Sequence, residues 1–126
     1  MFRIKPVLCA LLVALFTITF TVSVSAHQIT AQDAQERVET GASYLDTHNP
    51  GWDNRIEVSS LDIQHANRCV LGQLYGNFTR GRIVLKLSED MSLQNGFSTE
   101  IGYKENERLL TVAWRKLIKK RRATDN

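Results

Sequence analysis

KENERLLTVAWRKLIKKRR, residues 104–122, carries the clearest periodicity in the chain. Leu110, Ala113, Trp114, Leu117 and Ile118 follow one another on the three- and four-residue beat that gathers side chains on one face of a helix. A stripe of that kind must be covered, and two more stripes upstream can cover it. In residues 67–79, Val70, Leu71, Leu74, Tyr75 and Phe78 share a helical face, with Asn67 placed as an N-cap. In residues 30–48, Ala34, Val38, Ala42 and Leu45 mark a third face. Thr30 there can cap the amide of Asp33, and Ile29 can act as the staple before it. Gly41 weakens this helix by about 1 kcal/mol relative to alanine unless another backbone packs on it. Asn49-Pro50-Gly51 ends the helix in a turn, and Trp52 is positioned to fold back over the core.

The segments between the stripes are less decided. Ile56 and Val58 alternate with Arg55 and Glu57, and Leu61 and Ile63 flank Asp62, so residues 55–63 read as two short extended pieces. The run Ile83 to Leu87 is too short to separate strand from buried helix. Ser88-Glu89-Asp90-Met91 reads as a capped short helix closed by Asn95-Gly96. The expected fold is α+β, predominantly helical: three main helices near 30–48, 67–79 and 104–122 in a single small domain, residues 27–126. Its expected core is Val38, Leu45, Trp52, Ile56, Val70, Leu71, Leu74, Tyr75, Phe78, Leu110, Trp114 and Leu117.

Residues 1–26 differ from the rest. They hold 18 of the apolar residues in a 126-residue chain. Arg3 and Lys5 precede an uncharged run from Pro6 to Val24, and Val24-Ser25-Ala26 then fits the small-residue pattern of a cleavage site. The apolar part is also close to the minimum for spanning a bilayer, so a cleaved signal and a retained anchor are both open. In either case the residues after Ala26 lie outside the cytoplasm. Cysteine usage leaves the compartment open: Cys9 lies in this segment and Cys69 in the body, so processing leaves one thiol and no internal disulfide.

Charge is unevenly stored. Arg115, Lys116, Lys119, Lys120, Arg121 and Arg122 place six cations in eight residues, whereas residues 27–114 carry a net charge of −4. Such a cluster suits the negative end of a helix dipole, and it is also the candidate site for an anionic partner, either nucleic acid or an anionic membrane. Against nucleic acid, only Trp114 adjoins the patch, on the face assigned to the core, so no stacking platform is visible. Gly72 and Gly76, four apart, form a stripe without side chains that another element can approach closely, and they are a candidate interaction face. His65 and Cys69 are also four apart, but a zinc site needs a second pair at fixed spacing, and neither His27 nor His48 supplies one. Neither a metal nor any other cofactor is expected. The carboxylates Asp53/Glu57, Glu89/Asp90 and Glu105/Glu107 are ordinary exposed helix and turn acids, and no nucleophile with its base and oxyanion donors can be assembled.

A resemblance adds a setting. Gly41-Ala42, Tyr44-Leu45-Asp46, Pro50-Gly51-Trp52, Ile56, Leu61-Asp62-Ile63, the run Arg68-Cys69-Val70-Leu71-Gly72-Gln73-Leu74-Tyr75-Gly76, then Gly81, Gly96-Phe97 and Leu110-Thr111-Val112-Ala113-Trp114 resemble a group of short uncharacterised proteins of actinobacteria and their bacteriophages. The likeness covers roughly residues 34–122 and implies a host range but no activity and no site residues. Members of that group begin near the first helix without a signal. This chain therefore either acquired an export segment or has its start codon placed too far upstream, in which case it is cytoplasmic. The leading functional expectation is a small non-catalytic interaction protein, phage- or prophage-associated, acting on a host protein. The alternative is an anionic-surface binder using residues 115–122, and the weakest is a thiol- or metal-dependent site at Cys69.

Overall fold

Thr30 opens the first helix as its position suggests. In the computed structural model, which describes residues 28–125, the Thr30 hydroxyl accepts the Asp33 amide at 3.1 Å and the Asp33 carboxylate accepts the Thr30 amide at 2.9 Å. This reciprocal cap satisfies two donors that a helix start leaves unpaired. The bond from the Thr30 amide is the chief reason the Asp33 carboxyl is held below its ordinary range. Helix α1 spans Ala31–His48 and buries Ala34, Val38, Gly41, Ala42 and Leu45. Two 3-10 turns follow at Trp52–Arg55 and Val58–Ser60. After them come α2 (Val70–Tyr75), α3 (Phe78–Leu85), α4 (Glu89–Gln94) and α5 (Lys104–Thr124). The described residues form a single small helical domain.

Helices α1 and α5 lie side by side and run parallel. The Ile29 amide donates to Asn106 Oδ1 at 3.1 Å near their starts, Gly41 faces the Trp114 ring midway, and Asp46 pairs with Arg121 near their ends. The glycine is required by that approach. A Cβ at position 41 would stand 2.1 Å from the Asn95 carbonyl oxygen and 3.0 Å from the Trp114 ring, so the packing seen here needs the bare backbone. Trp114 is fully buried at the centre. It stacks on Phe97 (centroids 5.7 Å apart, 11° between planes), meets Trp52 edge-on at 5.8 Å, and donates its indole N–H to the Gly96 carbonyl at 2.7 Å. Apolar area, ring geometry and a satisfied polar atom thus coincide at one residue.

Four expectations are corrected. The extended pieces at 55–63 are 3-10 turns and irregular chain, and no strand occurs among the described residues, so the α+β reading gives way to an all-helical one. Ile56, Leu61 and Ile63 are buried, which produces the alternation, but each has a backbone group bonded to an α5 side chain and none to a neighbouring strand. The Ile63 amide donates to Thr111 Oγ1 at 3.1 Å, and the Leu61 carbonyl accepts from Arg115 at 2.7 Å.

The single helix expected over 67–79 is two helices. Its N-cap is Cys69 and not Asn67, with the sulfur accepting the Gly72 amide at 3.2 Å. Gly76 (φ 98°) ends α2, and Asn77 at once caps α3 by accepting the Arg80 amide at 2.8 Å. A residue with that φ cannot continue a right-handed helix. The break turns Leu74, Tyr75 and Phe78 partly outward, and Leu117 on α5 is likewise only half-buried, so these four pack against the core without belonging to its centre.

The signal or anchor expected at 1–26 lies outside the described residues, as does His27. No described helix is long and apolar enough to cross a membrane.

Candidate functional site

The six cations at the end of α5 divide by chemistry. Arg121 binds Asp53 (Nε to Oδ2, 3.0 Å) and Asp46 (2.5 Å), and its guanidinium carbon lies 5.4 Å from the centre of the Trp52 ring. Asp46 also accepts the Trp52 indole N–H at 2.9 Å, so one carboxylate ties α1, the first 3-10 turn and α5 together. Arg122 donates to the Asp53 carbonyl at 3.1 and 2.6 Å and to the Ile56 carbonyl. Arg115 donates to the Leu61 carbonyl. A guanidinium fork suits carbonyls left over by irregular chain, where a lysine supplies only a point charge. Arg115, Arg121 and Arg122 are therefore internal fasteners.

Lys116, Lys119 and Lys120 are exposed, and no ion pair or hydrogen bond among the described residues engages their ammonium groups. The expected six-residue anion-binding patch is in this way reduced to three outward lysines.

Of the two glycines of the candidate interaction face, Gly72 is covered by the chain itself. A Cβ on Gly72 would come within 2.3 Å of the Ala66 carbonyl oxygen and 2.7 Å of the Asn67 backbone, so the chain's own turn occupies that side. Gly76 is exposed, but its role is to end α2.

Cys69 is buried, and desolvation pushes its thiol above the ordinary range although the Gly72 amide bond opposes the shift. It borders a cleft of about 200 Å³ in which Glu107 is the other ionisable residue. His65 faces Asp62, 3.6 Å from its carboxylate, and His48 stacks on Tyr44 with ring centroids 4.0 Å apart. Among the described residues no group of three or more His, Cys, Asp or Glu is arranged to hold a metal ion. A buried, proton-retaining thiol is a poor nucleophile. In the folded protein, iodoacetamide at neutral pH is expected to leave Cys69 unmodified over a period in which the urea-unfolded chain is alkylated fully; intact-mass measurement checks this.

A larger depression than the Cys69 cleft lies along the α1/α5 pair. A groove of about 570 Å³ runs between them, floored by Leu109, Val112, Ala113 and Leu117. Val112 is 49% exposed and adjoins Leu109, Ala113 and Leu117, so the exposed apolar surface here is contiguous. On the α1 side stand Glu36 and Glu39; on the α5 side stand Lys116 and Lys120. The carboxylates of Glu36 and Glu39 accept hydrogen bonds only from Gln32 and Gln35 on their own helix among the described residues, and no ion pair joins the two walls. The helical periodicity marks Leu110, Trp114 and Leu117 for burial and leaves Leu109 and Val112 outside that stripe. A second apolar row beside the first was the available signal.

No protein family, curated protein or solved structure matches the chain.

Proposed function

We propose that this protein acts by binding another protein and not by catalysis, and that the α1/α5 groove is its working surface. The half-exposed Val112 on an apolar floor between charged walls carries the reading. Burying such a floor against a partner gains hydrophobic free energy, while the walls supply direction and selectivity. The internal use of Arg115, Arg121 and Arg122 and the burial of Cys69 support this reading. The resemblance of residues 34–122 to short actinobacterial and phage proteins supports a partner in an actinobacterial host, with the protein acting as a phage or prophage product.

A photoreactive benzoylphenylalanine at position 112, expressed in such a host, tests this. A protein adduct formed from position 112 and absent from a probe at exposed Thr79 is the expected result. Equal labelling from both positions, or none from either, contradicts the reading.

The second reading, an anionic-surface binder, rests on the unengaged Lys116, Lys119 and Lys120. Three lysines neutralise at most three phosphates, so binding to duplex DNA should fall with salt at a log–log slope of about −3 at most. A slope near twice that would mean the internal arginines also reach the ligand, and no salt dependence on DNA or anionic vesicles would dismiss it.

A further inference from the structure

We infer that the groove takes an amphipathic α-helix of a protein partner, with basic residues along one flank of its apolar stripe and acidic residues along the other. The inference rests on the binding reading above and names the occupant that the groove's chemistry selects. An extended peptide is a poor fit: both walls are helices whose backbone groups are already bonded internally, so a strand laid between them would find no ladder partners for its own amides and carbonyls. A helix satisfies its backbone by itself and offers only side chains, which is all the groove can accept. The groove follows α5 from Leu109 to Lys120, a length of roughly 17 Å at 1.5 Å per residue, enough for about three turns of an incoming helix.

The wall charges then set the partner's pattern. Glu36 and Glu39 on one side call for lysine or arginine, and Lys116 and Lys120 on the other call for glutamate or aspartate. Turning a helix end for end within the groove exchanges its left and right flanks, so the charge pattern also fixes the direction in which the partner lies.

Three synthetic helices of equal length and identical leucine stripe provide the probes: one with glutamates on one flank and lysines on the other, one with glutamates on both, one with lysines on both. Each is titrated by fluorescence anisotropy into the full chain. The mixed-flank helix is expected to bind tightest, by about tenfold over either of the others, since each like-charged flank turns attractive contacts into repulsive ones. Glu36→Lys combined with Glu39→Lys makes both walls basic and should transfer the preference to the all-glutamate helix. All the altered groups are exposed, and circular dichroism verifies that the fold is kept. Binding of none of the helices overturns the inference. So does tightest binding of the all-glutamate helix by the unaltered chain, which would assign the site to the lysines alone. Self-association of the chain that Val112→Glu abolishes would give the groove to a second copy and overturns it as well. If the helices fail while the position-112 adduct persists, the occupant is wrong and the binding reading survives; loss of the adduct overturns that reading itself.

Discussion

Replacing Trp114 by alanine is expected to lower the unfolding free energy by about 3–5 kcal/mol. The residue is fully buried, stacks on Phe97, meets Trp52 edge-on and satisfies the Gly96 carbonyl. Truncation therefore opens a large cavity and removes the partner of that carbonyl at once. Small domains hold about 5–15 kcal/mol in total, so the variant should be near its unfolding threshold at 37 °C. Leu74→Ala provides the contrast. The sequence pattern ranks Leu74 with Trp114, but in the fold Leu74 is only partly buried on the short helix α2, and its loss should cost about 1–2 kcal/mol. Urea unfolding of the two variants checks the order; equal destabilisation would mean that the core is centred elsewhere.

Gly41→Ala tests the other side of the same contact, and here packing and propensity disagree in sign. In the middle of an 18-residue helix, alanine is favoured over glycine by about 1 kcal/mol. The added Cβ, however, would stand 2.1 Å from the Asn95 carbonyl oxygen, and a backbone atom cannot step aside as the end of a side chain can. Either α1 moves off α5 or the 95–96 turn shifts, and overpacking of that kind costs about 1–3 kcal/mol. The expected outcome is a lower melting temperature. A higher one would show that α1 and α5 do not approach closely at this point.

These two residues also show how far the amino-acid order can be read. The 3.6-residue beat identifies the buried faces of α1 and α5 because each helix is long enough for its stripe to repeat, and Thr30 is a legible cap because its partner lies only three residues on. The region between 52 and 78 is less legible for a physical reason. Its order comes from contacts distant in sequence: Arg115 and Arg122 bond to carbonyls at 61, 53 and 56, and Thr111 receives the Ile63 amide. Buried residues there alternate as in a strand because the chain drapes over α5, and periodicity alone cannot separate the two causes.

The break at Gly76-Asn77 was written in residue types, a glycine able to take positive φ followed by an Asn that caps well, but the continuous apolar run across it outweighed them. The basic cluster misled by its density. Arg115 and Arg122 are seven apart and share a face directed at the irregular segment, whereas Lys116 and Lys120 lie on the groove side. The distinction between arginine and lysine held the information that net charge hid. The groove itself depends on the parallel pairing of α1 and α5, which no local pattern specifies.

The most direct test of the account is a nuclear Overhauser spectrum of the full chain. Parallel helices closed over a central tryptophan require cross-peaks between the Gly41 α-protons and the Trp114 ring, and between the Ile29 amide and the protons of Asn106, together with a slowly exchanging Trp114 indole proton. A rapidly exchanging indole with no contact to Gly41 would contradict it, because α1 and α5 would then not be paired and the groove between their outer faces would not exist.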